Sequence, residues 1–199
     1  MKKIYLMGVL LLLAACQTLP TSSEWLMRGN GYFKDGKMDK AVQAYTRAEQ
    51  LNSKRADVYN ARGAAYFFNG QYALAQADFI KSLQLNPYQA DAYTALSSAL
   101  AAQGDFQNAL QLINQSITLN PSKPETYFTR GGINFMLEQY EQAVYDYSMV
   151  LNIRPAADVY NARGAAYLKL GKTAQAKADF EKAQEQGMPA KLNDYTMVD

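Results

Sequence analysis

The sequence predicts an all-α protein in which five helix hairpins stack into one solenoid. The stretch ADVYNARGAAY occurs twice, letter for letter, at residues 56–66 and 157–167. The unit that begins at Ala56 runs for 34 residues before the same pattern begins again at Ala90. A period of about 20–50 residues is typical of repeat arrays, in which each unit packs on its neighbours. Large, small and aromatic residues also return at fixed positions within the period.

Five units share one register when Ala56 is taken as position 1. They span residues 22–55, 56–89, 90–123, 124–156 and 157–187, the fourth being one residue short. Position 4 is aromatic in every unit: Trp25, Tyr59, Tyr93, Tyr127 and Tyr160. Position 11 is more varied: Tyr32, Tyr66, Leu100, Asn134 and Tyr167. Positions 4 and 11 lie on one face of a helix, which predicts the buried side of the first helix of each unit.

Small residues are predicted to let the two helices of a unit approach closely. Position 8 holds Gly29, Gly63, Ser97, Gly131 and Gly164. Position 20 is alanine throughout: Ala41, Ala75, Ala109, Ala143 and Ala176. Position 24 is large: Tyr45, Phe79, Ile113, Tyr147 and Phe180. Each unit is therefore a hairpin with an apolar face that it cannot cover alone, and stacking covers that face.

The ends of the helices are also marked in the sequence. Glycine at position 15 of four units predicts a left-handed cap after the first helix: Gly36, Gly70, Gly104 and Gly171. Proline at position 32 predicts the end of the second helix: Pro87, Pro121 and Pro155. Acidic residues at position 2 favour the positive end of the following first helix: Asp57, Asp91, Glu125 and Asp158.

From Ser22 to about Gly187 this pattern resembles the tetratricopeptide repeat (TPR) family. The resemblance implies a right-handed α-α superhelix whose first helices line a concave surface. It is specific for the fold and says much less about function. The chain lacks the Lys and Asn constellation of the TPR domains that bind chaperone tails, so that particular function is not expected.

The first 15 residues have the layout of a secretory signal that is removed. A basic MKK head precedes an apolar run, Ile4 to Ala15, which is shorter than the ~20 residues of a membrane span. The sequence Leu-Ala-Ala-Cys at residues 13–16 resembles the bacterial lipobox. The resemblance implies cleavage before Cys16 and acylation of this residue, for example with palmitate. An ordinary signal peptide with an incidental Cys is the alternative.

Gln17, where an inner-membrane sorting signal has Asp, implies the outer membrane of a Gram-negative bacterium by resemblance. Residues 16–21 form a lipidated, polar tether. The polar stretch Thr18–Ser23 spans about 25–30 Å at most, so the repeats are predicted to stay close to the periplasmic face of the membrane.

Composition excludes several classes of function. Two of the 20 basic residues, Lys2 and Lys3, lie in the signal, so the mature chain has as many basic as acidic residues. This balance predicts no general affinity for nucleic acid. The chain has no His, which excludes Ser-His and Cys-His catalysis and most zinc sites. We expect no metal, no cofactor and no small-molecule substrate; an enzyme remains only a remote alternative.

Charged residues inside the repeats are predicted to pair across the two helices of a unit. Position 7 is Arg in four units: Arg28, Arg62, Arg130 and Arg163. Position 23 is Asp in three of these units: Asp78, Asp146 and Asp179. Each Asp is expected to pair with the Arg of its unit, as a device that sets the register of the two helices. Unit three has Leu96 and Leu112 instead, and Arg28 faces Ala44, so Arg28 is expected to be free. The alternative is an Arg row that grips carboxylates of a partner.

The resemblance places positions 2, 5, 9, 12 and 13 of the first helices on the concave surface. Positions 5, 9, 12 and 13 of units two to five are Asn60, Ala64, Phe67, Phe68; Thr94, Ser98, Ala101, Ala102; Phe128, Gly132, Phe135, Met136; and Asn161, Ala165, Leu168, Lys169. The small residues of unit three thus form a floor between apolar walls. Phe68 and Phe128 are predicted to bind a partner, with Asn60 and Asn161 available to its backbone. Packing between neighbouring repeats is the alternative for Phe67 and Phe135.

The fifth unit is predicted to end the array. Its positions 28 and 30 are Gln184 and Gln186, where the preceding units have mostly apolar residues. A second helix that turns polar at these positions is a cap. The tail, residues 188–199, adds at most a short turn or strap, with Leu192 and Tyr195 as anchors.

These features favour a lipid-anchored scaffold on the periplasmic face of the outer membrane. It would bind an extended segment or helix of another envelope protein in its concave groove. TPR lipoproteins of similar layout include assembly factors for type IV pilus secretins, and others are adaptors that recruit and regulate peptidoglycan hydrolases. The sequence does not choose between these two roles, because the resemblance lies in the repeat and in no partner-specific motif.

Overall fold

The computed structural model describes residues 19–188, and this part of the chain contains helices and no strands. The ten helices are α1 (Ser22–Lys34), α2 (Met38–Leu51), α3 (Ala56–Phe68), α4 (Tyr72–Leu85), α5 (Ala90–Ala102), α6 (Phe106–Leu119), α7 (Pro124–Met136), α8 (Tyr140–Ile153), α9 (Ala157–Lys169) and α10 (Thr173–Glu185). None of them is long and apolar enough to cross a membrane. The signal, Cys16 and the tail beyond Met188 lie outside the described residues.

Consecutive helices pair into five hairpins, and the second helix of each hairpin packs on the first helix of the next. The prediction of an all-α solenoid is confirmed. At the last hairpin, Gln184 and Gln186 are exposed, and among the described residues no further helix packs on α10. The core is a series of small clusters between neighbouring hairpins, such as the one around Tyr45 and Val58.

The two helices of each hairpin meet where position 8 faces position 24. A β-carbon added at Gly63 would lie 2.7 Å from the ring of Phe79, and one at Gly131 would lie 2.7 Å from Tyr147. Unit three uses a different pair: Ser97 is fully buried, and its hydroxyl donates to the carbonyl of Ala109 at 2.8 Å. In the four units with an aromatic residue at position 24, glycine is therefore required at position 8, because the ring occupies the space that a side chain would need.

The first helices end in a left-handed residue at position 15. Four units have glycine there, with φ between 70° and 84°, as predicted: Gly36, Gly70, Gly104 and Gly171. Unit four has Glu138 instead, with φ 60°. A side chain in this region of φ costs about 1–2 kcal/mol relative to glycine, so unit four carries backbone strain that the other units avoid.

All three predicted ion pairs are present between the two helices of their hairpins. Arg62 donates to both carboxylate oxygens of Asp78, at 2.7 and 2.9 Å. Arg163 contacts Asp179 at 2.7 and 2.8 Å, and Arg130 contacts Asp146 at 2.6 Å. The three Asp residues are at most 7% exposed. Such a buried, bidentate contact needs both helices in register, because either partner alone would leave a charge without compensation.

Each of these Arg residues also reaches back into the preceding unit, which the sequence reasoning missed. Its Nη1 donates to the polar residue at position 25 of that unit: Thr46, Asn114 and Ser148, at 3.2, 2.9 and 2.9 Å. Where unit three has Leu96, the corresponding residue is Ile80. The signal was available in the sequence, since among units one to four position 25 is polar only where the next unit has a paired Arg. The guanidinium of exposed Arg28 lies on the ring of Trp25, 4.8 Å from its centre.

A pair of glycine substitutions tests the contact between positions 8 and 24. Gly63→Ala forces a methyl group into the ring of Phe79, and such overpacking costs typically ~1–3 kcal/mol of unfolding free energy. Gly31→Ala is the matched control, because a β-carbon at Gly31 meets nothing within 4 Å. It is expected to stabilise the helix by about 0.5–1 kcal/mol. Denaturant unfolding followed by circular dichroism measures both, and equal effects would contradict the packing role.

A second pair of variants tests the ion pairs. Asp78→Ala leaves Arg62 buried without its main partner, and this is expected to cost ~3–5 kcal/mol. The double variant Arg62→Leu/Asp78→Leu copies the Leu96 and Leu112 pair of unit three, and it is expected to recover most of that loss. Glu49, which also accepts from Arg62, is partly exposed and stays solvated. The same denaturant measurement checks both; a loss near zero for Asp78→Ala would mean a screened contact.

Candidate functional site

The first helices line the inner side of the solenoid. Neighbouring first helices contact each other at all four junctions: α1 with α3, α3 with α5, α5 with α7, and α7 with α9. The second helices pack mainly on the first helices beside them. Because elements on the inside of a curved array lie closer together, the first helices form the concave surface, as the resemblance implied.

Three of the predicted groove residues present apolar surface to solvent. Phe68 is 66% exposed, Met136 is 56% exposed and Phe128 is 36% exposed. The ring of Phe68 packs edge-on against Phe33, with ring centres 5.5 Å apart. Phe33 was missed from the sequence although it occupies position 12 of unit one. Phe33 and Phe68 together give the groove an aromatic patch over units one and two.

Phe67 and Phe135 are less exposed than Phe68 and Met136 and pack within their own hairpins. Both are half-buried, and each packs against an aromatic ring of its own hairpin. Phe67 lies 5.4 Å from Tyr72 and Phe135 lies 5.3 Å from Tyr140, measured between ring centres. Both contacts lie beside the turn that joins the two helices of the hairpin.

A pocket of about 410 Å³ opens on the concave side between α5 and α7. Its lining includes residues from the groove positions and from the hairpin core, among them Ser98, Ala101, Gly132, Phe135, Met136 and Tyr147. Phe68, Asn60, Thr94 and Asn161 lie elsewhere on the concave side. The pocket is mostly apolar, which suits the side chain of a bound segment.

Unit four has glycine at position 9, the smallest residue at this position in the five units. A β-carbon at Gly132 would meet only the hydroxyl of Tyr147, at 3.9 Å. In unit one the corresponding residue is Asn30, and the hydroxyl of Tyr45 donates to its Oδ1 at 2.8 Å. Tyr147 is 4% exposed, and no hydrogen bond from its hydroxyl to any other described residue is present. The pocket therefore contains a buried phenol that lacks the partner of its counterpart.

Burial raises the pKa of Tyr147 to about 12, and the nearby charge of Asp146 acts in the same direction. The hydroxyl consequently keeps its proton throughout the neutral range. It is available as a neutral hydrogen-bond donor to a ligand carbonyl.

Two polar groove residues are placed differently from the prediction that they face a partner. The Oδ1 of Asn60 is buried and has no hydrogen-bond partner among the described residues, so the side chain must turn before this atom can meet a peptide. The hydroxyl of Thr94 lies 2.8 Å from that of Ser116. Thr94 thus serves the contact between helices. No group of three or more potential metal ligands is present in residues 19–188.

Comparison with known structures shows the same fold in several bacterial and other proteins. MamA has a TM-score of 0.71 at 24% identity, covering 79% of this chain and 93% of its own. YrrB, described as a TPR protein with an unusual peptide-binding site, has a TM-score of 0.71 at 21% identity and coverage of 86% and 89%. PilF of Pseudomonas aeruginosa has a TM-score of 0.76 at 17% identity and coverage of 84% and 77%. No curated protein sequence matches the chain.

Family models match nearly all of the repeat region. A model described as TPR repeat matches residues 29–70. Models described as tetratricopeptide repeat match residues 60–124, 94–159 and 157–186. The chain belongs to the tetratricopeptide repeat family.

Proposed function

We propose that this protein is a lipid-anchored scaffold that binds an extended segment of another envelope protein in its concave groove. The observation that carries the proposal is the apolar pocket between α5 and α7 with the unpartnered hydroxyl of Tyr147. An apolar side chain of the segment enters the pocket between Phe135 and Met136. A carbonyl of the same segment accepts a hydrogen bond from Tyr147.

The chemistry of the groove supports a peptide as the ligand. The hydroxyl of Tyr147 borders the pocket, so a carbonyl of a bound segment that accepts from it fixes the orientation of the segment. The exposed rings of Phe128 and Phe68 extend the apolar surface on both sides of the small residues of unit three. YrrB, which shares the fold, is described as having a peptide-binding site. This relation supports peptide binding here by analogy of fold.

The proposed cellular role rests on the sequence of the first 17 residues. The lipobox at residues 13–16 favours acylation of Cys16, and Gln17 favours the outer membrane. We assign the scaffold to the assembly of an outer-membrane complex, such as the secretin of a type IV pilus. PilF has the same fold, and at 17% identity this likeness supports the fold alone. Crosslinking of the intact protein in membranes of the source cell identifies the partner.

The groove is tested first by site-specific photocrosslinking. A photoreactive residue at Met136 is expected to capture a partner protein from the membrane fraction. The same residue at Lys81, which is exposed on the second helix α4, is the matched control and is expected to capture none. Adducts formed equally at both positions, or at Lys81 alone, would place the binding surface outside the groove.

Affinity for the captured segment then tests the groove residues. Phe68→Ala and Phe128→Ala are each expected to weaken binding at least about tenfold, which corresponds to ~1.4 kcal/mol. Gly132→Leu is the sharper variant, because its side chain fills the pocket. A nonglycine residue also favours the helix by up to about 1 kcal/mol. We expect lost binding at an unchanged or higher melting temperature, a combination that general destabilisation does not produce. Tight binding by all three folded variants contradicts the proposed groove.

The anchor is tested by Cys16→Ala. Loss of the thiol removes the acylation site, so the variant is expected either to become a released periplasmic protein or to remain an uncleaved precursor. Membrane fractionation and labelling with an acyl-chain probe measure this. Unchanged outer-membrane fractionation together with unchanged acyl labelling would rule out the lipid anchor while leaving the groove untouched.

A further inference from the structure

A second pocket, of about 440 Å³, lies on the other side of α7 from the groove. Its walls are the second helices α6 and α8, and its floor is formed by Arg130 and Asn134 of α7. The volume falls within the range of about 300–1,000 Å³ that is usual for ligand sites. This convex pocket shares no lining residue with the concave one.

The convex pocket exists because unit four has a short residue at position 11. Units one, two and five have tyrosine there, and in unit five the ring of Tyr167 lies beside Arg163, 5.7 Å from its guanidinium carbon. Asn134 replaces that ring with a carboxamide. The same Arg–Asp ion pair is kept in units four and five, so the space left by the missing ring is open next to Arg130.

Asn134 presents an unpartnered acceptor to this space. Its Nδ2 donates to Oδ2 of Asp146 at 2.9 Å. A carboxylate only accepts hydrogen bonds, so the amide nitrogen must face Asp146, and the Oδ1 must face away. Asn134 is 4% exposed, and no described residue donates to its Oδ1. This carbonyl oxygen is therefore free to accept a hydrogen bond from a ligand in the pocket.

The charges of the pocket favour a neutral ligand. Arg130 donates to Asp146 through Nε and Nη2, and Glu141 lies at the rim. The three ionised groups together carry one net negative charge. An anion would therefore be repelled. A cation would meet the guanidinium of Arg130, which forms part of the same wall. Burying either charge without a partner is costly.

The remaining lining combines hydrogen-bonding groups of both kinds with one aromatic surface. Asn114, Gln139 and Gln142 each carry an amide that donates and accepts. Tyr145 is 61% exposed and offers a ring face at the rim. A ligand that matches this set has several hydroxyl groups and one apolar face. We propose that the convex pocket binds a neutral sugar ring, with a hydroxyl donating to Oδ1 of Asn134 and its C–H face against Tyr145.

The pocket contains no arrangement for chemistry on such a ligand. Asp146 is held by Arg130 and Asn134, so its carboxylate does not act as an acid or base toward the sugar. The sugar is bound and not converted. The inference does not depend on the concave groove, and it adds a glycan contact to a protein whose opposite face is proposed to hold a peptide.

Nuclear magnetic resonance titration of the full chain in detergent tests this proposal. The probes are the methyl glycosides of glucose, galactose, mannose and N-acetylglucosamine. At least one is expected to shift the resonances of Asn134, Gln139 and Gln142 saturably, and to show saturation transfer from Tyr145. No saturable response to any of the four would overturn the proposal.

Two variants locate the response. Asn134→Tyr restores the residue of units two and five, which keep the same ion pair, so folding is expected to be preserved while sugar affinity falls at least tenfold. Tyr145→Ala changes an exposed residue and is expected to weaken binding without lowering the melting temperature. Gly132→Leu is the control on the opposite face and must leave sugar binding unchanged. A sugar response that survives both Asn134→Tyr and Tyr145→Ala would also refute the assignment.

Discussion

The close contact between position 8 and position 24 sets the distance between the two helices of every hairpin. Four units use glycine under an aromatic ring, and in unit three the hydroxyl of Ser97 donates to the carbonyl of Ala109. The neighbouring positions 7 and 23 are thereby brought within reach of each other. The bidentate contact of Arg62 with Asp78 is a consequence of that distance, since a longer separation would break both hydrogen bonds. The position 8 contact therefore underlies the ion pairs and, through position 25, the junctions between units.

Both candidate sites arise in unit four, where two side chains are shorter than their counterparts. Gly132 stands where unit one has Asn30, and Asn134 stands where three units have tyrosine. Residues two apart on a helix point about 200° away from each other. The first loss therefore opens the concave side of α7, and the second opens its convex side. Each loss also leaves a polar group without a protein partner, the hydroxyl of Tyr147 and the Oδ1 of Asn134.

The fold and the pairing of charges were predictable, because both depend on residues that recur at fixed spacing. The position of Arg163 and Asp179 in one unit predicts the same contact in another. The pockets were not predicted. The repeat spacing places the helices, but a cavity depends on how the side chains of neighbouring helices fill the space between them. The signals were nonetheless in the sequence: position 9 and position 11 of unit four depart from the other units. For Asn60 the sequence predicted a position on the concave surface, but it could not show that the Oδ1 of this residue is buried.

The junction between units two and three differs physically from the other three. At the other three junctions, an Arg reaches back to a polar residue at position 25 of the preceding unit, as Arg130 does with Asn114. Arg62 also binds the carboxylate of Glu49 in the preceding unit. Unit three has Leu96 in place of that Arg, packed in an apolar cluster with Phe79. Hydrogen bonds weaken steeply as their angle changes, whereas apolar packing has no preferred direction. Apart from the exposed hydrogen bond of Gln103 with Gln76, the side-chain contacts described for this junction are apolar, so we expect a small change of angle to cost least here. A segment bound along the proposed groove from Phe68 to Phe128 would cross this junction, so we expect the curvature of the groove to adjust where α4 meets α5.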